Sequence, residues 1–356
     1  MTSEILIIGG GVIGLSIGRE LHRNGVRRVT IVERGRAGHE ASFAAAGMLA
    51  PNAETDKLDD FYRFCSDSNA LYPDFAAELL DETGVDIELE RSGTLYLAMT
   101  EHDSAELKKR FEWQENAGLC VEHLDAKATL NAEPFVSQHV RESLFFPHDW
   151  QVENRKLLAA LLKYTEINGI EIREGINIDE ISIEAGKVTG ASANGEVFSA
   201  DMTIIATGAW TSLIKLGGNP LPVKVKPIRG QMVSFHPPEK MFRRVIFSPR
   251  GYIVPRTDGR VLVGATVEDV GFDKSVTEKG VSSLLAIASE IAPRLSDFPI
   301  SDSWAGLRPL AGEGWPVIGM VEGFENLLAA TGHYRNGILL APLTAKVVAG
   351  LALAPN

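Results

Sequence analysis

Hydrophobic residues near the start of the chain follow first the pattern of a strand and then that of a helix. The run ILII leads through three consecutive glycines into apolar positions at Ile13, Ile17 and Leu21. A spacing of three to four residues between apolar positions is typical of one helix face. A second apolar run, RRVTIVE, ends at Glu33. The pattern predicts a strand, a glycine turn, a helix and a second strand, as in a βαβ unit.

Alternating apolar and polar residues dominate two later regions. Between residues 170 and 200, three short runs are separated by Glu184-Ala185-Gly186 and by Asn194-Gly195, which predicts a β-meander with tight turns. A helical repeat of leucines, from Leu157 to Leu162, precedes this region. The second region predicts a large, mostly antiparallel sheet, with runs at 222–235, 243–248, 251–256 and 260–267.

A long apolar run, ILLAPLTAKVVAGLALA, follows four polar residues, HYRN, at positions 333–336. A membrane-spanning helix needs roughly 20 apolar residues, whereas this run contains Pro342 and Lys346. We therefore expect a buried helix and no integral membrane segment. The first residues lead directly into a strand-like run without a preceding basic region, so we expect no export signal and a cytoplasmic protein.

Length and composition predict a globular protein of two domains. The chain has 356 residues, 45% of them hydrophobic, which is enough for a substantial core. A net charge of −12 argues against nucleic-acid partners, because binding to phosphates needs clustered Lys and Arg. Cys65 and Cys120 form no CxxC pair, and no HxxxH spacing occurs. We therefore expect no metal site and interpret both cysteines as small core residues.

The glycine turn has the residue types that a dinucleotide needs. Gly9, Gly11 and Gly14 fit GxGxxG: the first permits a tight turn, the second lets the backbone approach a pyrophosphate, and the third allows close helix packing. The helix N-terminus then favours an anion. Glu33 ends the second strand, where an acid can accept the ribose hydroxyls. The alternative is a glycine turn in an unrelated α/β protein.

Separated glycine-bearing stretches indicate one extended cofactor. An NAD enzyme usually continues its Rossmann unit with more parallel strands, whereas here an alanine-rich loop, residues 41–51, follows the βαβ unit. The small residues of this loop suggest backbone close to a flat ligand. A later strand, residues 201–210, ends in another glycine turn, and GHYRNG comes last. This arrangement favours FAD over NAD.

Six stretches, in this order along the chain, resemble one family: GGGVIG with Glu33, SFAAAGMLAP, ATGAW, GYIVPR, WAGLRP and GHYRNGILLAP. Together they resemble the D-amino acid oxidase superfamily of flavoproteins, and within it the glycine oxidases of thiamin biosynthesis. The resemblance runs from residue 4 to about residue 352. It implies an α/β fold in which a Rossmann-like FAD-binding domain is interleaved with an α+β substrate domain built on a large, mostly antiparallel sheet. The expected FAD-binding segments are 1–85, 145–220 and 308–356, and the expected substrate-binding segments are 86–144 and 221–307.

The resemblance also implies that FAD is bound without a covalent link. Relatives that attach FAD often use a cysteine near the C-terminal flavin motif, and residues 311–319 contain none. The implied cofactor-binding residues are Gly9, Gly11, Val12, Ile13, Gly14, Glu33, Arg34, Ser42, Ala45, Ala46, Gly47, Met48, Asn177, Ala206, Thr207, Gly208, Trp210, His333, Arg335, Asn336, Gly337 and Ile338. Arg335 and the helix after it would stabilise the flavin edge that becomes negative on reduction. The alternative is that residues 333–336 only cap a core helix.

On the substrate side, the resemblance implies three catalytic residues: Arg308, Tyr252 and Arg335. Arg308 would bind the substrate carboxylate through two parallel hydrogen bonds, and the Tyr252 phenol would add a third. Hydride would pass from the substrate Cα to flavin N5, the imine would hydrolyse to a 2-oxo acid, and dioxygen would give hydrogen peroxide. No strong base is expected, and we interpret Arg256 as structural. The family also suggests a homotetramer.

Two residues depart from the family pattern, and other functions remain open. Arg250 and Val267 stand where the glycine oxidases carry other residue types; Arg250 is either an exposed loop charge or a contact for an acidic or larger amine substituent.

The nearest alternative function is an FAD-dependent D-amino acid or imino acid dehydrogenase with an acceptor other than oxygen. A flavin-binding protein without turnover and a nicotinamide dehydrogenase are further alternatives.

Overall fold

Two large β-sheets form the frame of the protein in the computed structural model, which describes residues 2–354 and the side chains from residue 4 onward. The strands are Thr2–Ile8 (β1), Val29–Val32 (β2), Met48–Leu49 (β3), Thr94–Ala98 (β4), Glu122–Asp125 (β5), Glu142–Phe146 (β6), Trp150–Gln151 (β7), Glu171–Arg173 (β8), Glu180–Glu184 (β9), Lys187–Ala193 (β10), Glu196–Ile205 (β11), Lys215–Leu216 (β12), Asn219–Pro220 (β13), Val225–Phe235 (β14), Val245–Ser248 (β15), Gly251–Pro255 (β16), Val261–Gly264 (β17), Ile300–Ala311 (β18), Val317–Met320 (β19) and Leu327–Thr331 (β20).

Ten α-helices and two short 3-10 helices connect and cover these strands in the described part of the chain. The α-helices are Val12–Arg23 (α1), Ala41–Ala44 (α2), Pro51–Glu54 (α3), Asp60–Ala70 (α4), Tyr72–Thr83 (α5), Glu101–Asn116 (α6), Ala126–Ala132 (α7), Asn154–Asn168 (α8), Glu278–Ile291 (α9) and Gly337–Leu353 (α10). The 3-10 helices are Gly208–Leu213 and Pro293–Asp297.

The first sheet has ten strands, with a parallel centre. β1 lies between β2 and β11, parallel to both, and β8 extends the sheet beyond β2. β20 pairs in parallel with the second half of β11. Helix α1 connects β1 to β2, as the apolar pattern predicted, and its residues Leu15, Ile17 and Leu21 are fully buried. They pack in one core with Leu340 of α10, so the expected buried C-terminal helix is confirmed.

The β-meander predicted between residues 170 and 200 is confirmed. β9, β10 and β11 are consecutive antiparallel strands. Their turns contain Ala185-Gly186 and Asn194-Gly195, and all four of these residues have positive φ, between 49° and 86°. Two adjacent residues with positive φ are typical of the tight turn that suits strand twist, which is why Asn-Gly predicts a hairpin.

The second sheet has eight strands in the order β18-β14-β17-β16-β15-β4-β6-β5. Every neighbouring pair is antiparallel except β15 with β4, so the prediction of a large, mostly antiparallel sheet is confirmed. One face packs on α9 through a core that contains Phe235, Ile253 and Leu284. The other face presents Met232 and Tyr252 towards the first sheet. The α/β fold class, with a Rossmann-like unit joined to an antiparallel sheet, is therefore confirmed.

The two sheets take their strands from interleaved parts of the chain. Strands of the first sheet come from residues 2–32, 171–220 and 317–331, and those of the second come from 94–146 and 225–311. The predicted domain boundaries at 144/145 and 307/308 fall inside β6 and β18. The exact domain limits stay a prediction.

The two cysteines differ in their surroundings. Cys65 is buried in the core of the first sheet, where burial raises the pKa of its thiol to about 12. Cys120 is exposed, so its interpretation as a core residue is wrong. The reason is local: it follows the turn at Gly118 that ends α6, where the chain runs along the surface.

Within residues 2–354, no helix is both long and apolar enough to cross a membrane, and no group of three acidic, His or Cys residues could hold a metal ion.

The two sheets are joined by the guanidinium of Arg256, which directly follows β16 and is 4% exposed. It bonds to the loop before β3 and to the segment from β7 to α8: its partners are Ala46 O (2.9 Å), Gln151 Oε1 (3.2 Å), Val152 O (2.9 Å), Asn154 Oδ1 (2.9 Å) and, as an ion pair, Glu153 Oε2 (3.1 Å). Burial lowers the pKa of Arg256 to about 10, which leaves it charged at neutral pH. These contacts agree with the structural role predicted for Arg256.

We expect Arg256→Ala to lower the free energy of unfolding by roughly 3–5 kcal/mol, because it leaves the buried Glu153 without this partner. Urea unfolding followed by circular dichroism measures the loss. Lys163→Ala is the control, since Lys163 pairs with Glu166 on the exposed surface of α8 and should contribute under ~1 kcal/mol. Equal, small effects of the two substitutions would contradict the joining role of Arg256.

Candidate cofactor and active site

A cavity of about 380 Å³ lies between the two sheets. It extends from the carboxyl ends of β1 and β2 to the inner face of β14, β16 and β18. Ligands of open α/β sheets bind at the carboxyl ends of the parallel strands, so this position is the one that the fold favours. The lining residues come from widely separated parts of the chain, between Ile8 and Ile338.

The glycines after β1 allow the backbone to pack closely at this end of the cavity. Gly9 has φ +112°, and a Cβ there would lie 2.3 Å from the Ala206 carbonyl oxygen. A Cβ at Gly14 would lie 1.9 Å from the Gly9 carbonyl oxygen. Gly11 is the N-cap of α1 and lines the cavity with Val12, whose N–H donates to Ser42 Oγ at 3.0 Å. The start of α1 therefore faces the cavity with the partial positive charge that favours a phosphate.

The carboxylate of Glu33 is held at the end of β2. Oε2 accepts a hydrogen bond from Gly10 N at 2.8 Å, and Oε1 accepts one from Gly35 N at 2.9 Å. Each oxygen can accept a further bond, so the carboxylate can still receive ribose hydroxyls. Beside it, the Arg34 guanidinium lies 4.3 Å from the centre of the Trp210 ring, and both residues line the cavity.

Small residues from the alanine-rich loop line the middle of the cavity. Ala45, Ala46, Gly47 and Met48 all contribute, and Gly47 has φ +69°. A Cβ at Gly47 would lie 2.1 Å from the Val152 carbonyl oxygen, so no other residue fits there without a shift. Backbone close to the cavity is what a flat ring system requires, and it explains why this loop is rich in alanine and glycine.

The start of α10 forms another wall, built from residues 332–338. His333 is 2% exposed, its Nε2 lies 3.1 Å from Thr344 Oγ1, and burial lowers its pKa to about 3. It is therefore a neutral, hydrogen-bonded residue. Asn336 is the N-cap of α10, and no side-chain hydrogen bond caps this helix. Its N-terminus thus presents free N–H groups and a positive dipole end to the cavity.

These features fit FAD, the cofactor that the resemblance implies. A close-packed glycine turn at a helix N-terminus suits the pyrophosphate, an acid with free acceptor sites suits the ribose, and an alanine-lined slot with a second helix N-terminus suits the flavin. All of these elements face one continuous cavity.

Arg308 and Tyr252 meet at the second sheet. The Arg308 side chain starts on β18 and passes over Gly230 of β14, where a Cβ would lie only 2.1 Å from Nη1. Its Nη1 donates to Thr266 O at 3.0 Å. Tyr252 is 8% exposed, and burial raises the pKa of its phenol, while the charges of Arg308 and Arg335 oppose that rise.

Arg335 also lines the cavity, and Glu54 lies beside it. The Arg335 Nη2 is 3.5 Å from Glu54 Oε1, and this carboxylate raises the pKa of Arg335. Glu54 ends α3, which Asp149 holds in place by accepting hydrogen bonds from Asn52 N and Ala53 N at 3.1 and 2.7 Å. Burial raises the pKa of Asp149 to about 7.

The structure brings the predicted site residues together with one exception. All of them line the cavity except Gly14, which packs against Gly9 behind it. Arg250 and Val267 do not line the cavity. Arg250 is an exposed residue of the turn between β15 and β16, as one of the two alternatives expected, and its guanidinium is bound by Asp103 at 2.7 Å and Glu290 at 2.5 Å.

Several cavity residues were not predicted from the sequence, among them Glu54, Gly230, Met232 and Gly306. A glycine inside a strand often marks a close approach of another group, and this signal was available for Gly230 and Gly306. A Cβ at Gly306 would lie 2.5 Å from the Ala44 Cβ of α2. Glu54 gave no comparable signal, because its place depends on the packing of α3.

Comparisons with known proteins identify a family with the same cofactor. The family model described as "DAO: FAD dependent oxidoreductase" matches residues 4–351. The chain is 38% identical over 354 residues to the bifunctional protein ThiO/ThiG of Trichormus variabilis, covering 98% of this chain and 52% of that protein. It thus spans about half the length of the ThiO/ThiG proteins that it matches.

Glycine oxidase of Geobacillus kaustophilus is similar over almost its whole length, with 36% identity over 352 residues, which are 98% of this chain and 92% of that one. Its crystal structure superposes with a TM-score of 0.93, covering 99% of this chain and 94% of that one at 34% identity. The crystal structure of iminodiacetate oxidase from Chelativorans sp. gives a TM-score of 0.86 at 27% identity and covers 98% of this chain and 94% of that one. The protein therefore belongs to the DAO family of FAD-dependent oxidoreductases, and FAD is its cofactor.

Proposed function

We propose that the protein oxidises glycine or a small N-substituted glycine or D-amino acid. The substrate would leave as an imine, which water hydrolyses to a 2-oxo acid and an amine. The observation that carries this proposal is the position of Arg308 and the buried phenol of Tyr252 in the cavity that fits FAD. The similarity to glycine oxidase of Geobacillus kaustophilus supports it.

Arg308 has the free donors that a carboxylate needs. Within residues 2–354 it forms no ion pair with a carboxylate; a single N–H of Nη1 donates to Thr266 O, and the guanidinium lies beside the Tyr252 phenol. A guanidinium has five N–H donors in a planar fork, so two parallel donors remain for a substrate carboxylate. Arg256, by contrast, is surrounded by protein acceptors.

Tyr252 can supply a third hydrogen bond to the same carboxylate. Burial raises the pKa of its phenol above the ordinary value, so the phenol keeps its proton at neutral pH and can donate. Among the described residues, its hydroxyl donates only to the sulfur of Met232 at 3.9 Å, which is a weak acceptor, and the Arg308 guanidinium lies beside it. A substrate oxygen would be a better partner than this sulfur.

No free base lines the cavity in the described part of the chain. Its four carboxylates each have a partner: Glu33 binds backbone N–H groups, Glu40 binds Lys274, Glu54 lies beside Arg335, and Asp179 accepts from Asn177. The imidazole of His333 has a pKa of about 3, so it is a poor base. We infer that the substrate reacts with a neutral amine, whose lone pair favours loss of hydride from Cα, and that the protein mainly orients it.

Bound FAD supplies the acceptor for the two electrons. We propose that the chain holds it through the residues predicted from the sequence: the glycine turn and Glu33 at the adenosine end, Ala45–Met48 at the ring, and residues 333–338 at the pyrimidine edge. Arg335 and the start of α10 would place positive charge there and favour electron uptake.

The name of iminodiacetate oxidase, a structural neighbour, supports including N-substituted glycines among the substrates. Dioxygen as the final acceptor, with formation of hydrogen peroxide, is drawn from the family resemblance. So is the homotetramer. We also propose a cytoplasmic location, the expectation formed from the sequence. A dehydrogenase that passes electrons to another acceptor is the second candidate, because the same cavity residues serve both reactions.

Anaerobic mixing of the FAD-bound protein with glycine, sarcosine, D-alanine or D-proline tests the proposal. We expect glycine or sarcosine to bleach the flavin band near ~450 nm, and we expect air to restore the band with formation of peroxide. Bleaching that air does not quickly reverse would identify a dehydrogenase. If none of the four amino acids bleached the flavin, the proposed substrate class would be wrong.

Replacing Arg308 by Ala should raise the KM of the bleaching substrate by roughly a hundredfold or more, because the substrate carboxylate loses its charged partner. Steady-state peroxide or dye assays give KM and kcat. Arg63→Ala is the matched control, since Arg63 is exposed and pairs with Asp60 outside the cavity. A near-normal KM in Arg308→Ala would remove the carboxylate role.

Gly230→Ala tests the same role without changing Arg308 itself. The new methyl group would lie 2.1–2.3 Å from the Arg308 guanidinium, so this group must move. We expect KM to rise roughly tenfold or more while FAD content stays normal. Gly350→Ala is the control, because a Cβ at Gly350 of α10 meets nothing within 4 Å. A KM equal in the two variants would show that the position of Arg308 is unimportant.

A further inference from the structure

Arg308 reaches across a whole strand to its hydrogen-bond partner. Its side chain starts on β18, passes over Gly230 of β14, and ends at the Thr266 carbonyl oxygen on the far side of β14. The guanidinium is therefore placed by two features: the missing side chain of Gly230, which leaves room, and the Thr266 carbonyl, which fixes its end. The second feature depends on the backbone after β17.

The backbone after β17 contains a bulge. Gly264 is paired with Met232 of β14, and Glu268 is paired with Arg229 through backbone hydrogen bonds in both directions. Between these two pairs, the segment after β17 advances four residues, from Gly264 to Glu268, whereas β14 advances only three, from Met232 to Arg229. One residue is therefore extra, and Thr266 lies inside the bulge. Bulges redirect groups next to active sites, and this one turns the Thr266 carbonyl towards Arg308.

Glu268, two residues after Thr266 on the same segment, holds this bulge through its side chain. Its Oε1 accepts hydrogen bonds from Thr266 Oγ1 at 2.5 Å and from Gln231 Nε2 at 2.7 Å. Its Oε2 accepts one from Arg229 Nη2 at 2.6 Å. The Thr266 hydroxyl in turn accepts a bond from Gln231 N at 2.9 Å. The carboxylate thus links the bulge to two positions of β14, Arg229 and Gln231, which flank Gly230.

The surroundings of this carboxylate are buried and charged. Gln231 is fully buried, and Arg229 is 4% exposed. Partial burial of Glu268 opposes ionisation, but hydrogen bonds from Arg229, Thr266 and Gln231 prevail and lower its pKa to about 2. Glu268 is therefore ionised at any working pH, and its three short hydrogen bonds are charge-assisted. Such bonds fix geometry more firmly than neutral ones.

We propose that Glu268 is a positioning residue for Arg308: by binding the Thr266 hydroxyl, Gln231 and Arg229, it fixes the bulge whose carbonyl orients the guanidinium. Glu268 does not line the cavity, so it acts on the substrate only through Arg308. This inference rests on the proposed carboxylate-binding role of Arg308. It adds to that role the residue that sets the direction of the guanidinium.

The test compares Glu268→Gln with Asp269→Asn. A glutamine side chain replaces one carboxylate oxygen of Glu268 by an NH₂ group, which cannot accept the hydrogen bonds that Arg229, Gln231 and Thr266 donate. We therefore expect the bulge to be held less firmly. Asp269 is the neighbouring carboxylate, 58% exposed and paired with Lys226, and its neutralisation removes the same charge without touching the bulge. We expect Glu268→Gln to raise KM for the amino acid substrate roughly tenfold with a small change in kcat. Asp269→Asn should leave both unchanged.

A binding measurement separates positioning from general stability. Glycolate carries the carboxylate without the amine, and its dissociation constant can be read from the flavin spectrum. Glu268→Gln should weaken glycolate binding about as much as it raises KM, while FAD content and melting temperature stay near those of the parent protein. If Glu268→Gln proves unstable, Thr266→Val takes its place, because it removes only the hydroxyl that Glu268 binds.

A double-mutant cycle with Arg308→Ala completes the test. If Glu268 acts through Arg308, adding Glu268→Gln to Arg308→Ala should not weaken glycolate binding further. The positioning role would be overturned if Glu268→Gln weakened glycolate binding equally in the parent protein and in Arg308→Ala. It would also be overturned if a folded Glu268→Gln protein kept the KM and the glycolate affinity of the parent protein. An unchanged KM in Arg308→Ala alone would instead overturn the proposed function of Arg308, and the role of Glu268 with it.

Discussion

A buried guanidinium forms the densest set of hydrogen bonds that connects the two sheets. Arg256 follows a strand of the second sheet, and its partners lie on the loop before β3 and at the start of α8, which packs on the first sheet. One of those partners is the carbonyl of Ala46, in the loop that lines the middle of the cavity. The same bonds that hold the sheets together therefore also fix the loop that lines the cavity between them. The cofactor site is a consequence of how the sheets are joined.

Arg250, Arg256 and Arg308 all belong to the region of the second sheet. The number of acceptors that each guanidinium binds distinguishes the structural arginines from the one proposed to bind substrate. Both terminal nitrogens of Arg256 donate to protein acceptors, and Arg250 is bound by two carboxylates. Arg308 has one carbonyl partner and faces the cavity. A buried or half-buried guanidinium with unused donors is unfavourable by itself, and it gains most when an anion arrives. The residue type is the same in all three positions, and only the surroundings differ.

Local features were the ones that could be predicted from the sequence. The strand, glycine turn and helix at the start of the chain are determined by residues that are neighbours in sequence. The hairpin between β10 and β11 is determined by the two turn residues Asn194 and Gly195. The positions of Arg308 and Tyr252 came from the family resemblance rather than from the apolar pattern. The bulge at Thr266 and the pairing of Arg250 with Asp103 could not be predicted, because they depend on strand register and on contacts between residues far apart in the chain.

The order of strands in the first sheet also bears on when the cofactor site can exist. β1 pairs with β11, and β11 pairs with β20, so neighbours in space are made at very different times during synthesis. The glycine turn is made first, yet the wall formed by residues 332–338 is made hundreds of residues later. Contacts of such high sequence separation form slowly. A growing chain therefore has no complete binding site for the flavin until this last wall has been synthesised and has packed against α1.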